Sequence, residues 1–129
     1  DMVVAVLSQR VPDAYLARLR EVGVAYLFAG DDGSDLAGAL ETLRRAFGVG
    51  HLLLEGGGVT NGAFLAAGLI DAVSTLVCPA IDGLAGVPAI FEHAGPPGSR
   101  PAADTHLRLA DSEVLEGGVV WLRYEVVRG

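Results

Sequence analysis

The chain has 129 residues, 51% of them hydrophobic, with sixteen Asp or Glu against nine basic residues, all arginine, for a formal net charge of −7. This length fits one domain with a single core, 1–129, and the acidic balance without any basic cluster argues against a nucleic-acid surface. No apolar run is long enough for a membrane span, and no signal-peptide pattern opens the chain.

Met2–Leu7 reads as a buried strand that ends at Ser8. Val11-Pro12-Asp13 starts a helix, with Pro12 at or near its first position. Tyr15, Leu16, Leu19 and Val22 follow at helical spacing, and Gly23 stops it. Val24–Phe28 is a second apolar strand, closed by the turn cluster Gly30-Asp31-Asp32-Gly33. Ser34 is the expected cap of the next helix, whose apolar face is Leu36, Leu40, Leu43 and Phe47. Asp35 in its first turn and Arg44 and Arg45 in its last suit the helix dipole, and Gly48 ends it.

His51–Leu65 is the most informative stretch. Leu52-Leu53-Leu54 is a continuous apolar run, as in a strand covered on both faces, and it ends at Glu55. Gly56-Gly57-Gly58 makes a turn, and Thr60 or Asn61 caps a third helix that carries Phe64, Leu65 and Leu69 and stops near Gly68. A glycine turn feeding a helix start presents free N–H groups and the positive dipole end to an anion, and missing Cβ atoms permit close approach. The spacing matches neither the dinucleotide fingerprint nor a P-loop. Two readings of the turn stand: a pyrophosphate site with a carboxylate at its edge, or a strand-to-helix turn that needs glycine for backbone reasons only.

Alternating strands and helices predict parallel strands with right-handed crossovers, so Val3–Leu7, Val24–Phe28 and Leu52–Leu54 are expected as adjacent or near-adjacent parallel strands. Ser8, Gly30 and the Glu55 turn then share the carboxyl ends of the strands, where ligands of such sheets gather. After Asp71 the pattern changes. Ala72–Cys78 is a strand stopped by Pro79. Residues 80–104, rich in Gly and Pro, are mostly loop with a short segment at Ala89–Phe91. Thr105–Leu109 and Val119–Val126 alternate with period two around Gly117-Gly118, as in a hairpin. The fold class is therefore α/β, a mixed and mainly parallel sheet with helices on both faces and an antiparallel C-terminal hairpin. The lone Cys78 allows no internal disulfide and suits a reducing cytoplasm, and His51, His93, His106 and Cys78 lack metal-ligand spacing.

Leu53-Leu54-Glu55-Gly56-Gly57-Gly58, then Asn61-Gly62, then Leu65–Asp71 and a strand leading to Pro79, resemble the pyrimidine reductase of riboflavin biosynthesis. The tail Val119–Val126 is similar too. The resemblance spans about Val3 to Val126. It implies a dihydrofolate-reductase-like fold, use of NADPH, and reduction of the ribosylamino side chain of a phosphorylated pyrimidine to ribitylamino. It implies that Glu55 contacts substrate, that Gly57, Gly58, Val59, Thr60, Asn61, Gly62 and Ala63 hold NADPH phosphates through backbone N–H groups, and that Ser8 contacts the cofactor. No catalytic residue is assigned. Hydride chemistry belongs to the cofactor, and the protein must orient its nicotinamide against an electrophilic carbon. The alternative for Glu55 is an acid that satisfies the helix dipole. Family members carry a further N-terminal portion, so the chain is expected to be the C-terminal part of a larger reductase domain; the family also implies a homodimer. A non-catalytic nucleotide-binding or assembly module that keeps the glycine turn is the other class of function.

Overall fold

The computed structural model describes residues 2–93 and 95–129, which divide into two compact units, Asp1–Leu53 and Leu54–Gly129. The first unit runs β1 (Val4–Leu7), α1 (Asp13–Glu21), β2 (Ala25–Phe28) and α2 (Leu36–Phe47). Its two strands pair in parallel, Val4 opposite Ala25 through Leu7 opposite Phe28, as a strand-helix-strand crossover requires. Pro12 is the N-cap of α1, one position earlier than a first helical residue. Leu19 is the buried residue of that helix. Leu27, Ala29 and Ala39 form the core of the unit, with Val4, Leu43 and Phe47 packed against them. Leu43 and Phe47 of the expected apolar face of α2, together with Ala39, supply the core contacts of this helix.

The cap of α2 is Asp35, not Ser34. The Asp35 carboxylate accepts from the Gly38 N–H at 2.9 Å. Ser34 is already engaged, since its N–H and hydroxyl both donate to Asp32 Oδ1, at 3.0 and 2.6 Å. That hydroxyl bond, with the Ser34 N–H behind it, holds the Asp32 carboxyl below its ordinary pKa. At the other end Gly48 takes the left-handed conformation, φ 69°, and returns its N–H to the Arg44 carbonyl.

The expected third parallel strand does not form. Leu52–Leu54 has no regular secondary structure, and the backbone of residues 50–56 makes no hydrogen bond among the described residues. Leu53 is 84% exposed. A strand exists only as a member of a ladder, and this run has no partner among the described residues. It is the connection between the two units.

The second unit contains α3 (Gly58–Ala66), β3 (Ala72–Val77), β4 (Thr105–Val114), a 3-10 turn at Glu116–Gly118, and β5 (Val120–Arg128). Here β5 is the centre of an antiparallel sheet of order β3-β5-β4. The hairpin lies where the period-two alternation predicts it and runs longer at both strands. Gly117 and Gly118 turn it with φ of 76° and 79°, values that favour glycine. Between Leu109 and Asp111 the register shifts by a bulge.

The sheet has two unlike faces. Val73, Leu107, Leu109, Leu122, Tyr124 and Val126 share one through their registers. The opposite face carries ion pairs of Arg108 with Glu125 and of Arg123 with Asp111. The Arg123 hydrogen bond, followed by one from the Ser112 N–H, keeps the Asp111 carboxyl below its ordinary pKa. Arg123 also stacks 4.0 Å over the Trp121 ring, whose indole N–H donates to Ser74 Oγ at 2.7 Å. The fold is mixed α/β, with one parallel and one antiparallel sheet and three helices among the described residues.

Candidate functional site

The sequence-predicted residues fall in both units. Ser8 belongs to the first. It follows the last residue of β1, half-buried, beside the turn that follows β2. The Gln9 N–H donates to the Gly30 carbonyl at 3.0 Å, and the Ala29 N–H to Leu7 at 2.8 Å, which ties the ends of the two strands together. Close approach matters here: a Cβ on Gly33 would come within 3.6 Å of the Ser8 Cβ. Ser8 therefore occupies the carboxyl end of the parallel pair, as the sequence places it.

All the remaining candidates lie in the second unit. Glu55 is exposed and stands in the irregular segment before α3, not at the end of a strand. The helix itself begins earlier than the capping residues suggest. Gly57 is its N-cap, with extended backbone (φ −60°, ψ 173°), and Gly58 is its first residue. Thr60 and Asn61 are thus inside the first turns. The reason is tertiary. Glycine is a poor helix former, but the Glu92 N–H donates to the Gly58 carbonyl at 2.8 Å and holds this end in place.

The first intrahelical bond is from the Asn61 N–H to the Gly57 carbonyl, at 3.1 Å. The N–H groups of Gly58, Val59 and Thr60 precede it and have no intrahelical acceptor. With no side-chain cap at Gly57, they remain open to an external anion. The glycines differ in what surrounds them. Gly57 has open space where a Cβ would stand. A Cβ on Gly56 would press on Thr60, at 3.0 Å. At Gly58 and Gly62 the near neighbours are residues 89–92. A methyl on Gly58 would collide with the Ala89 carbonyl oxygen, and one on Gly62 with the Glu92 carbonyl. Gly62 is buried. These two glycines therefore serve the packing of the chain on itself, and Gly57 is the one that leaves room outside.

The sequence marks a short segment at Ala89–Phe91 but not its part in the site. The expected short element at Ala89–Phe91 is not regular; it is a strap over α3. Besides the Glu92 bond, the Asn61 side-chain amide donates to the Ile90 carbonyl at 2.9 Å, and the Ala89 N–H donates to Glu92 Oε1 at 3.0 Å. Asn61 Oδ1 is buried without a hydrogen-bond partner among the described residues. The available signal was weak: an apolar triplet followed by an acid inside a glycine- and proline-rich stretch.

A separate open depression of about 410 Å³ is lined by Ser74, Leu76, Leu115 and Trp121, and none of the candidate residues borders it. Among the described residues no three His, Cys, Asp or Glu side chains converge as a metal site. None of the described helices is long and apolar enough to cross a membrane.

The family model for the RibD C-terminal domain matches residues 1–121. No match appears among the curated proteins. Among solved structures, a pyrimidine reductase-like protein from Corynebacterium diphtheriae superposes with a TM-score of 0.75 at 22% identity, over 99% of this chain and 50% of that one. Two forms of RibD from Acinetobacter baumannii give TM-scores of 0.72 and 0.71 at 24% and 23% identity. They cover 96% and 97% of this chain and 37% of theirs. The chain thus spans half or less of the length of these structures. The likenesses show the fold, mixed α/β of the dihydrofolate-reductase-like type that the resemblance implied.

Proposed function

Because this chain belongs to the RibD C-terminal domain family, we propose that it is the cofactor-binding part of a cytoplasmic, homodimeric reductase of riboflavin biosynthesis. The reaction is NADPH-dependent reduction of a phosphorylated ribosylamino-pyrimidine to its ribitylamino form. The observation that carries the proposal is the start of α3. Three consecutive N–H groups, those of Gly58, Val59 and Thr60, lack intrahelical acceptors, and beside them Gly57 leaves open space.

In this reading the cofactor supplies the hydride. The backbone at the helix start, where the N–H groups of Gly58, Val59 and Thr60 are free and that of Asn61 is already bonded to Gly57, holds its phosphates. Gly58 and Gly62 contribute by letting the strap close on α3. Glu55 precedes the turn and is exposed. Directed into the phosphate turn, its carboxylate would repel the ligand; directed away, it binds hydroxyls of the open-chain sugar or steadies the charge of an iminium.

The test is a pair of substitutions. Gly57 has a backbone that any residue adopts and free space at its Cβ, so Gly57→Val should keep the fold and fill the phosphate's place. We expect NADPH affinity, read by calorimetry, to be lost in that variant; unchanged affinity rejects the cofactor site. In the complete enzyme, Glu55→Gln should leave NADPH affinity intact and lower turnover about tenfold or more, equal to roughly 1.4 kcal/mol of transition-state stabilisation. Full turnover with a lowered melting temperature would make Glu55 a dipole-satisfying acid. NADPH binding by the complete protein without any reductase turnover would favour the non-catalytic module.

A further inference from the structure

The strap brings a charge to the start of α3 as well as hydrogen bonds. The carboxyl carbon of Glu92 stands 3.3 Å, and its Cγ 3.0 Å, from where a Cβ on Gly58 would be. A carboxylate is therefore held against the first residue of the helix, at the positive end of its dipole. Its position is fixed twice, by the Glu92 N–H bond to the Gly58 carbonyl and by the bond from the Ala89 N–H to Oε1. Among the described residues none of the arginine ion pairs involves Glu92.

We propose that Glu92 is a resident anion that sets how tightly the α3 turn binds a phosphate-bearing cofactor. The proposal rests on the reading that this turn holds the cofactor's phosphates. An incoming phosphate at the free N–H groups and the Glu92 carboxylate beside Gly58 share the first turn of α3, and two like charges that close together disfavour each other. Glu92 then acts in two directions. Its backbone and its acceptor oxygen shape the turn, and its charge moderates the affinity, so the cofactor can leave after hydride transfer.

Glu92→Gln separates the two. Glutamine keeps an acceptor for the Ala89 N–H and removes the charge, so the strap stays closed. The experiment is NADPH titration by calorimetry of the parent chain and the variant, at about 0.02 M and about 0.5 M salt, where screening is weak and strong respectively. The expected result is tighter binding in the variant, by about fivefold or more at low salt, shrinking towards parity at high salt. Equal or weaker binding in the variant, with the parent chain binding NADPH normally, overturns the role of Glu92 and leaves the cofactor site standing. A gain that does not change with salt also overturns it, since charge would not be the cause. Failure of both proteins to bind NADPH overturns the inference and the cofactor site together.

Discussion

Gly62 and Gly57 stand at the start of the same helix and meet opposite surroundings. Gly62 lies under the Glu92 carbonyl, so closely that any side chain must displace backbone. Gly57 faces open space. Forcing a methyl into a packed contact costs about 1–3 kcal/mol, whereas a change in open space away from packing stays within about 0.5 kcal/mol. Gly62→Ala is therefore expected to lower the melting temperature clearly, and Gly57→Ala to leave it almost unchanged. Equal melting temperatures for the two variants would contradict the strap. The sequence could not rank these glycines. It showed that a glycine turn precedes a helix, but the partner that makes Gly62 obligatory lies in a distant Gly- and Pro-rich stretch with no periodicity of its own.

Among the elements, α2 was the most legible, because its apolar face, its last-turn arginines and its terminal glycine all point to the same helix. Its N-cap was not. Ser34 and Asp35 are both capping types, and the choice depends on Asp32, which takes up the Ser34 N–H and hydroxyl and leaves Asp35 to reach Gly38. Asp35→Ala should cost about 1 kcal/mol of stability by removing that cap, measured by urea unfolding, and Ser34→Ala should cost less. The reverse order would restore Ser34 as the cap. Leu52–Leu54 was misread for a different reason. An apolar run of that length reports a tendency to be covered, and the ladder that makes it a strand must be supplied by other residues. The start of α3 was read too late because propensity disfavours Gly58, and a hydrogen bond from Glu92 overrides that local preference.

For the whole molecule, the mixed α/β architecture was legible from the alternation of apolar runs with capped helices, and the family from the Glu-Gly-Gly-Gly turn and its downstream segment, all of them local in sequence. The division into two units was not, since it depends on which runs find partners. The second unit also carries a feature with a bearing on how it folds. Its β4–β5 hairpin closes through the short turn at Glu116–Gly118, whereas β3 must reach β5 across the long loop region before β4. Loop closure favours the local pairing, and hairpins form in about 1–10 μs. The hairpin should thus be the template on which β3 docks late. Trp121, the single tryptophan, lies on β5 and reports both events by stopped-flow fluorescence. Gly117→Val forces a positive φ on a β-branched residue and should slow refolding. Val73→Ala on β3 should chiefly speed unfolding. If Val73→Ala slows refolding as much as Gly117→Val does, the hairpin is not the nucleus. On this order of events, the two glycines at its tip govern how long the apolar strands of this acidic chain stay unpaired, and so how exposed each new molecule is to aggregation before its sheet is complete.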